Sequence, residues 1–178
     1  MSVVTLIDFR ENPDISLHEI YKNALLFFPE KIRRQKMDWN VRGELERIKR
    51  MEDVINYEDR EILAVPLNKV LRLGWNYTQP WILALNEPIY RKQITIYDGK
   101  IICKIDLLSG HTLGNRSVIS EFSLSTDDLV KILTHEFGHQ IGLFDHEGEE
   151  FEECFMSTSS PEKQFRFCKI CLENLLRT

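Results

Sequence analysis

The sequence predicts a single domain of the α/β class. Continuous runs of β-branched and apolar residues at 3–7, 61–65 and 81–85 have the length and composition of buried strands. Between and after them, apolar residues recur at helical intervals behind capping residues. With 43% hydrophobic and 29% charged residues in a chain of 178, there is enough apolar surface to bury a core without disulfide support.

In chain order, Val3-Val4-Thr5-Leu6-Ile7 reads as the first strand. Ser16 and Glu19 have capping-box spacing, and Leu17, Ile20, Tyr21, Ala24, Leu25 and Phe28 mark the buried stripe of a helix that stops at Pro29. In the charged stretch 31–59, Leu45, Ile48, Met51 and Ile55 predict a second amphipathic helix. Its interleaved lysines, arginines and acids read as a solvated face. Residues 61–65 and 81–85 follow as strands near Pro66, Pro80 and Pro88, with Trp75 and Trp81 expected in the core. The alternation on either side of Asp98-Gly99 predicts a β-hairpin over 94–105. In that register Ile94, Ile96, Ile101, Cys103 and Ile105 share a face, so Cys103 is expected as a buried free thiol. A helix is predicted from Ser125, with Asp127 and Asp128 favourable at its N-terminus and Gly142 placed to end it.

Inside that helix His135 and His139 are four residues apart, so both imidazoles leave one face and can reach a single ion. Glu136 lies beside them. A sharp turn at Gly142 lets the chain return, and His146 is assigned as the third nitrogen, with one coordination position left for water. That arrangement is catalytic chemistry, with Glu136 as general base. His18 and His111 have no such partners and read as surface or hydrogen-bonded residues.

The formal net charge of −5 gives no basic face for nucleic acid, and no apolar run is long enough for a membrane span. The N-terminus lacks the pattern of a secretory signal, so a cytoplasmic chain is expected, in which four cysteines favour metal ligation over disulfides. Peptides or small molecules are the expected partners. The acidic run at 147–153 reads as a solvated loop.

The string His135-Glu136-Phe137-Gly138-His139-Gln140-Ile141-Gly142-Leu143-Phe144-Asp145-His146, followed by Met156, resembles the metzincin clan of zinc peptidases, with His146 taken as the third histidine and Met156 as the Met-turn residue. Cys154-Phe155-Met156 and the later Cys168-Lys169-Ile170-Cys171 are similar to the archaemetzincin family in particular. The resemblance covers residues 125–178. It implies a twisted mixed sheet with helices, an upper subdomain (1–142) ending in the active-site helix, and a lower subdomain (143–178) with Met-turn and C-terminal helix. It also implies a second, structural zinc at Cys154, Cys168 and Cys171. The family places a cysteine directly after its third catalytic ligand, where this assignment meets Glu147, so the fourth ligand of the second zinc is left between Glu147 and Cys103. Metzincin substrates lie along an edge strand, and residues 93–106 are the expected one.

The function expected is zinc-dependent peptide-bond hydrolysis. Its rivals are a catalytically silent zinc-binding scaffold, which has no need of Glu136, and a nucleic-acid-binding zinc module, which the acidic loop disfavours.

Overall fold

The computed structural model describes residues 3–34, 37–74, 76–77, 80–159 and 161–177. The expectation for Trp75 lies outside them. Five strands form the central sheet: β1 (Val4–Asp8), β2 (Met37–Arg42), β5 (Trp81–Leu85), β8 (Gly110–Leu113) and β9 (Arg116–Ser120), in the order β2-β1-β5-β9-β8. All neighbours run parallel except β8, which is antiparallel to β9 and forms an edge. A second sheet, in the order β3-β4-β6-β7, comprises β3 (Asp53–Tyr57), β4 (Arg60–Pro66), β6 (Ile89–Tyr97) and β7 (Lys100–Leu108). The fold is therefore mixed α/β with two sheets.

Alternation along the strands decides which layer each side chain joins. Ile82 and Ala84 of β5 face helices α1 (Leu17–Leu25) and α5 (Thr126–Gln140) in one core. Trp81, Leu83 and Leu85 face the other way, toward α4 (Leu67–Leu73) and the base of the second sheet. Both faces of β5 are covered, so its apolar run has no polar alternation. The first core also takes in Leu143, Phe155, Met156, Cys171 and Leu175, so the C-terminal segment and its helix α6 (Lys169–Arg177) share a core with α5. Short α2 (Glu30–Arg33) follows α1.

The caps behave as their sequences require. Ser16 accepts from the Glu19 amide and Ser125 from the Asp128 amide, each at 3.2 Å. Gly142, at φ +92°, terminates α5: the Leu143 amide reaches the Gly138 carbonyl and the Gly142 amide that of His139, each at 3.0 Å, the bonding of a Schellman motif.

Two expectations are corrected. The helix foreseen through Ile55 stops early, as α3 (Leu45–Lys49), and Ile55 belongs to β3. The cause is the turn Glu58-Asp59, with φ of 48° and 60°, which closes a hairpin between β3 and β4 and gives Val54 and Ile55 the strand geometry that β-branched residues favour. The 98–99 hairpin forms with the expected register, Ile94 opposite Cys103 and Ile96 opposite Ile101, but its outer half stands in solvent. Cys103 is exposed, not buried, because β4 pairs with β6 only at Ile89 and Tyr90 and then diverges. Ile94, Ile96 and Ile101 are 69%, 73% and 74% exposed.

Candidate active site

Helix α5 presents His135 and His139 one turn apart, with their Nε2 atoms separated by 3.1 Å. Nδ1 of His135 is 2.7 Å from the Phe155 carbonyl, and Nδ1 of His139 is 3.0 Å from that of Leu143. Carbonyls only accept, so both Nδ1 atoms carry the ring proton and both Nε2 atoms present lone pairs. Burial, then the neighbouring His139, depresses the His135 pKa and keeps its ring neutral. Oδ1 of Asp145 completes the convergence, 3.3 Å from His135 Nε2 and 3.2 Å from His139 Nε2.

This corrects the assignment of the third ligand. Asp145, not His146, shares a point with the two helical histidines. The segment after Gly142 is extended: the His146 amide donates to the Met156 carbonyl at 2.7 Å, in a bridge between His146 and Ser157. Successive side chains of an extended segment point to opposite sides. Asp145 thus turns to the helix, and His146 turns the other way.

His146 faces the cysteines. Its Nε2 lies 3.0 Å from Cys171 Sγ and 3.4 Å from Cys168 Sγ, and Cys154 Sγ is 3.8 Å from Cys171 Sγ. The fourth donor beside the three thiols is therefore His146, in place of the expected Glu147 or Cys103. The ring is stacked on Phe151, centroids 4.7 Å apart. Cys154 Sγ also takes the amide protons of Met156, at 3.4 Å, and Cys168, at 3.3 Å. Hydrogen bonding from Cys171 first, then these amides, pulls the Cys154 pKa down to about 5 against the opposing effect of burial.

Both groups have the chemistry of zinc sites. For metal–nitrogen bonds of 2.0–2.1 Å, the edge of a coordination tetrahedron is about 3.3–3.4 Å, and for 2.3 Å metal–sulfur bonds about 3.8 Å. The His135–Asp145 separation of 3.3 Å and the Cys154–Cys171 separation of 3.8 Å fall at those edges, while the His139–Asp145, His135–His139 and His146–Cys171 separations, at 3.2, 3.1 and 3.0 Å, are shorter.

Glu136 lies next to the first group, 5% exposed. Burial pushes its carboxyl up to about 8, against a lowering hydrogen bond from Thr112, whose Oγ1 is 2.6 Å from Oε2. Met156 is fully buried under the helix at Gly138, where an added Cβ would stand 2.4 Å from its Sδ. Gln164 donates 2.9 Å hydrogen bonds to the carbonyls of Ser157 and Ser159, fixing the segment after Met156. That segment, β8, and the His135, Glu136, His139 and Asp145 side chains line one cleft of 670 Å³. His111, read from sequence as a surface or hydrogen-bonded residue, also lines it. The outer hairpin does not, so the edge strand at the cleft is β8 and not residues 93–106. Thr112 and Gly110 escaped the sequence reading because β8 has neither apolar alternation nor a motif. No helix among the described residues is long and apolar enough to cross a membrane.

No protein-family profile and no curated protein matches the chain. Among solved structures it is similar to a zinc-dependent peptidase from Methanocorpusculum labreanum (strain Z), with a TM-score of 0.52 at 14% identity over 97% of this chain and 99% of that one. The likeness is one of fold.

Proposed function

We propose that the chain is a zinc-dependent peptidase of the metzincin type, close to the archaemetzincins, with His135, His139 and Asp145 as ligands of the catalytic zinc. The observation that carries this is the convergence of the two Nε2 lone pairs and the Asp145 carboxylate beside buried Glu136 in an open cleft. The zinc-dependent peptidase of similar fold supports it. Asp145 takes the position of the usual third histidine, and His146 then takes that of the family's following cysteine. A structural zinc held by His146, Cys154, Cys168 and Cys171 belongs to the same reading, and with it a reducing compartment such as the cytoplasm, where thiols stay free to ligate.

Zinc, when bound at the first group, supplies Lewis acidity for the substrate carbonyl, lowers the pKa of water toward about 7, and by its charge favours ionised Glu136. The rest is the chain's own work. The free edge of β8 offers backbone hydrogen bonds to an extended peptide, which sets its carbonyl at the cleft floor. Glu136 takes a proton from the attacking water and passes it to the departing amine. The Phe155 and Leu143 carbonyls keep the two imidazoles in the ligating tautomer throughout.

The test is a diverse peptide library incubated with zinc-loaded wild type, with Glu136→Gln and with chelator, and read by mass spectrometry for new termini. Glu136→Gln should keep its zinc and lose about 10²- to 10⁴-fold in turnover. A fully loaded wild type that cuts nothing supports the silent scaffold in its place.

A further inference from the structure

Glu136 is gripped from β8 by a chain of hydrogen bonds whose direction can be worked out. Thr112 Oγ1 lies 2.6 Å from Glu136 Oε2, 3.0 Å from the Glu136 carbonyl and 2.7 Å from Ser117 Oγ. A hydroxyl has one proton to give. Which neighbour receives it is settled at the far end of the chain. Gln140 Nε2 stands 2.9 Å from the Trp81 carbonyl and 2.7 Å from Ser117 Oγ. The carbonyl can only accept, so the amide must turn its NH₂ to this side, where its two protons serve Trp81 and Ser117. Ser117 therefore accepts, and its own proton goes to Thr112 Oγ1, since its other acceptor, the Glu136 carbonyl, is 3.5 Å away. Thr112 in turn spends its proton on Glu136 Oε2, the shorter contact.

The other carboxylate oxygen has a different neighbour. A Cβ built on Gly110 would stand 2.5 Å from Glu136 Oε1, so this oxygen lies against the bare Cα of Gly110 and only a residue without a side chain leaves it room there. Gly110, Thr112 and Glu136 all line the cleft.

We infer that Thr112 is the positioning residue of the general base: its hydrogen bond occupies Oε2 and turns Oε1, beside Gly110, toward the reacting water. The catalytic half of this inference rests on the peptidase reading. The orientation of the carboxylate does not.

Thr112→Val keeps the size and removes the hydroxyl, and Thr112→Ser keeps the hydroxyl. Turnover on a peptide cut by wild type is measured together with zinc content, and the metal-free variants are crystallised. Loss of an outer hydrogen-bond partner typically costs about 10- to 100-fold. Thr112→Val should fall in that range in kcat, with KM and zinc content held within about twofold and the Glu136 carboxylate rotated. Thr112→Ser should recover both the orientation and most of the rate. An unmoved carboxylate and unchanged kcat in Thr112→Val overturn the inference, and so does a serine variant as slow as the valine one. Should wild type cut no peptide, the peptidase reading fails by itself, and the carboxylate's position in the metal-free Thr112→Val crystal alone upholds or overturns the positioning role.

Discussion

Replacing Asp145 and His146 one at a time separates the two groups of candidate metal ligands, which meet at a single peptide bond. His146→Ala should strip the cysteine site, and Asp145→Ala the histidine site, because their side chains turn to opposite groups of donors. The magnitude follows from the donor count. A four-ligand structural zinc contributes about 10–16 kcal/mol, so each ligand accounts for roughly 2.5–4 kcal/mol, or two to three orders of magnitude in affinity. His146 is an inner donor at 3.0 Å from Cys171 Sγ, so removing it should cost that full share. Cobalt is the reporter, since thiolate ligands give it an intense charge-transfer absorption that histidine and carboxylate do not. Titrated with cobalt, His146→Ala should bind at the thiolate site two to three orders of magnitude more weakly. Asp145→Ala should keep that absorption and lose peptide hydrolysis. The reverse pattern, with the thiolate absorption intact in His146→Ala and diminished in Asp145→Ala, refutes the geometry.

Further outcomes follow from single contacts. Gly110→Ala places a Cβ 2.5 Å from Glu136 Oε1 and should lower turnover at least about tenfold with zinc content unchanged, as elemental analysis would check. Gly138→Ala pushes on Met156 Sδ at 2.4 Å. Overpacking of about 1–3 kcal/mol is offset by up to about 1 kcal/mol of helix propensity, so a melting-temperature drop of a few degrees is expected in thermal melts. With the carboxyl of Glu136 raised from 4.5 to about 8, its contribution to the metal-free fold is full below pH 4.5 and is lost as pH rises through 8. Chelator-treated wild type should therefore lose stability relative to Glu136→Gln across that window, by at most ~1.4 kcal/mol per pH unit, in denaturant titrations at several pH values. Of the four cysteines only Cys103 is exposed, so a thiol reagent should find one fast group in the zinc-loaded protein and the other three after chelation. Four fast thiols would count against the cysteine site.

Where a segment's pattern and its environment agree, the sequence was enough. Ser16 and Ser125 announced α1 and α5, the apolar run 81–85 announced a strand covered on both faces, and Asp98-Gly99 set a register that the structure keeps. Legibility failed where a choice depends on distant chain. Ile55 fits a helical stripe as well as a strand, and only the turn at Glu58-Asp59 decides. Strand β8 carries Gly110 and Thr112 to the site without apolar alternation, because one of its edges pairs with β9 and the other opens on the cleft. Which of Asp145 and His146 meets the helical histidines was not legible either: a histidine outweighs an aspartate on chemical type, while side-chain direction in an extended segment depends on parity alone.

The outer hairpin sets how this protein behaves at high concentration. Among the described residues strand β7 closes the second sheet with an unpaired edge, and beside it one face of the hairpin carries Ile94, Ile96 and Ile101, each largely exposed. Such an edge is a template for strand addition, and what restrains it is charge: Lys100 lies on β7 and Lys92 on β6, while Lys104 and Arg91 are paired with Asp106. Repulsion between like-charged edges weakens as the Debye length contracts from about 10 Å at 0.1 M salt to about 3 Å at 1 M. Added salt will therefore lower the solubility of this chain, and acidic substitutions at Ile96 or Ile101 will restore it.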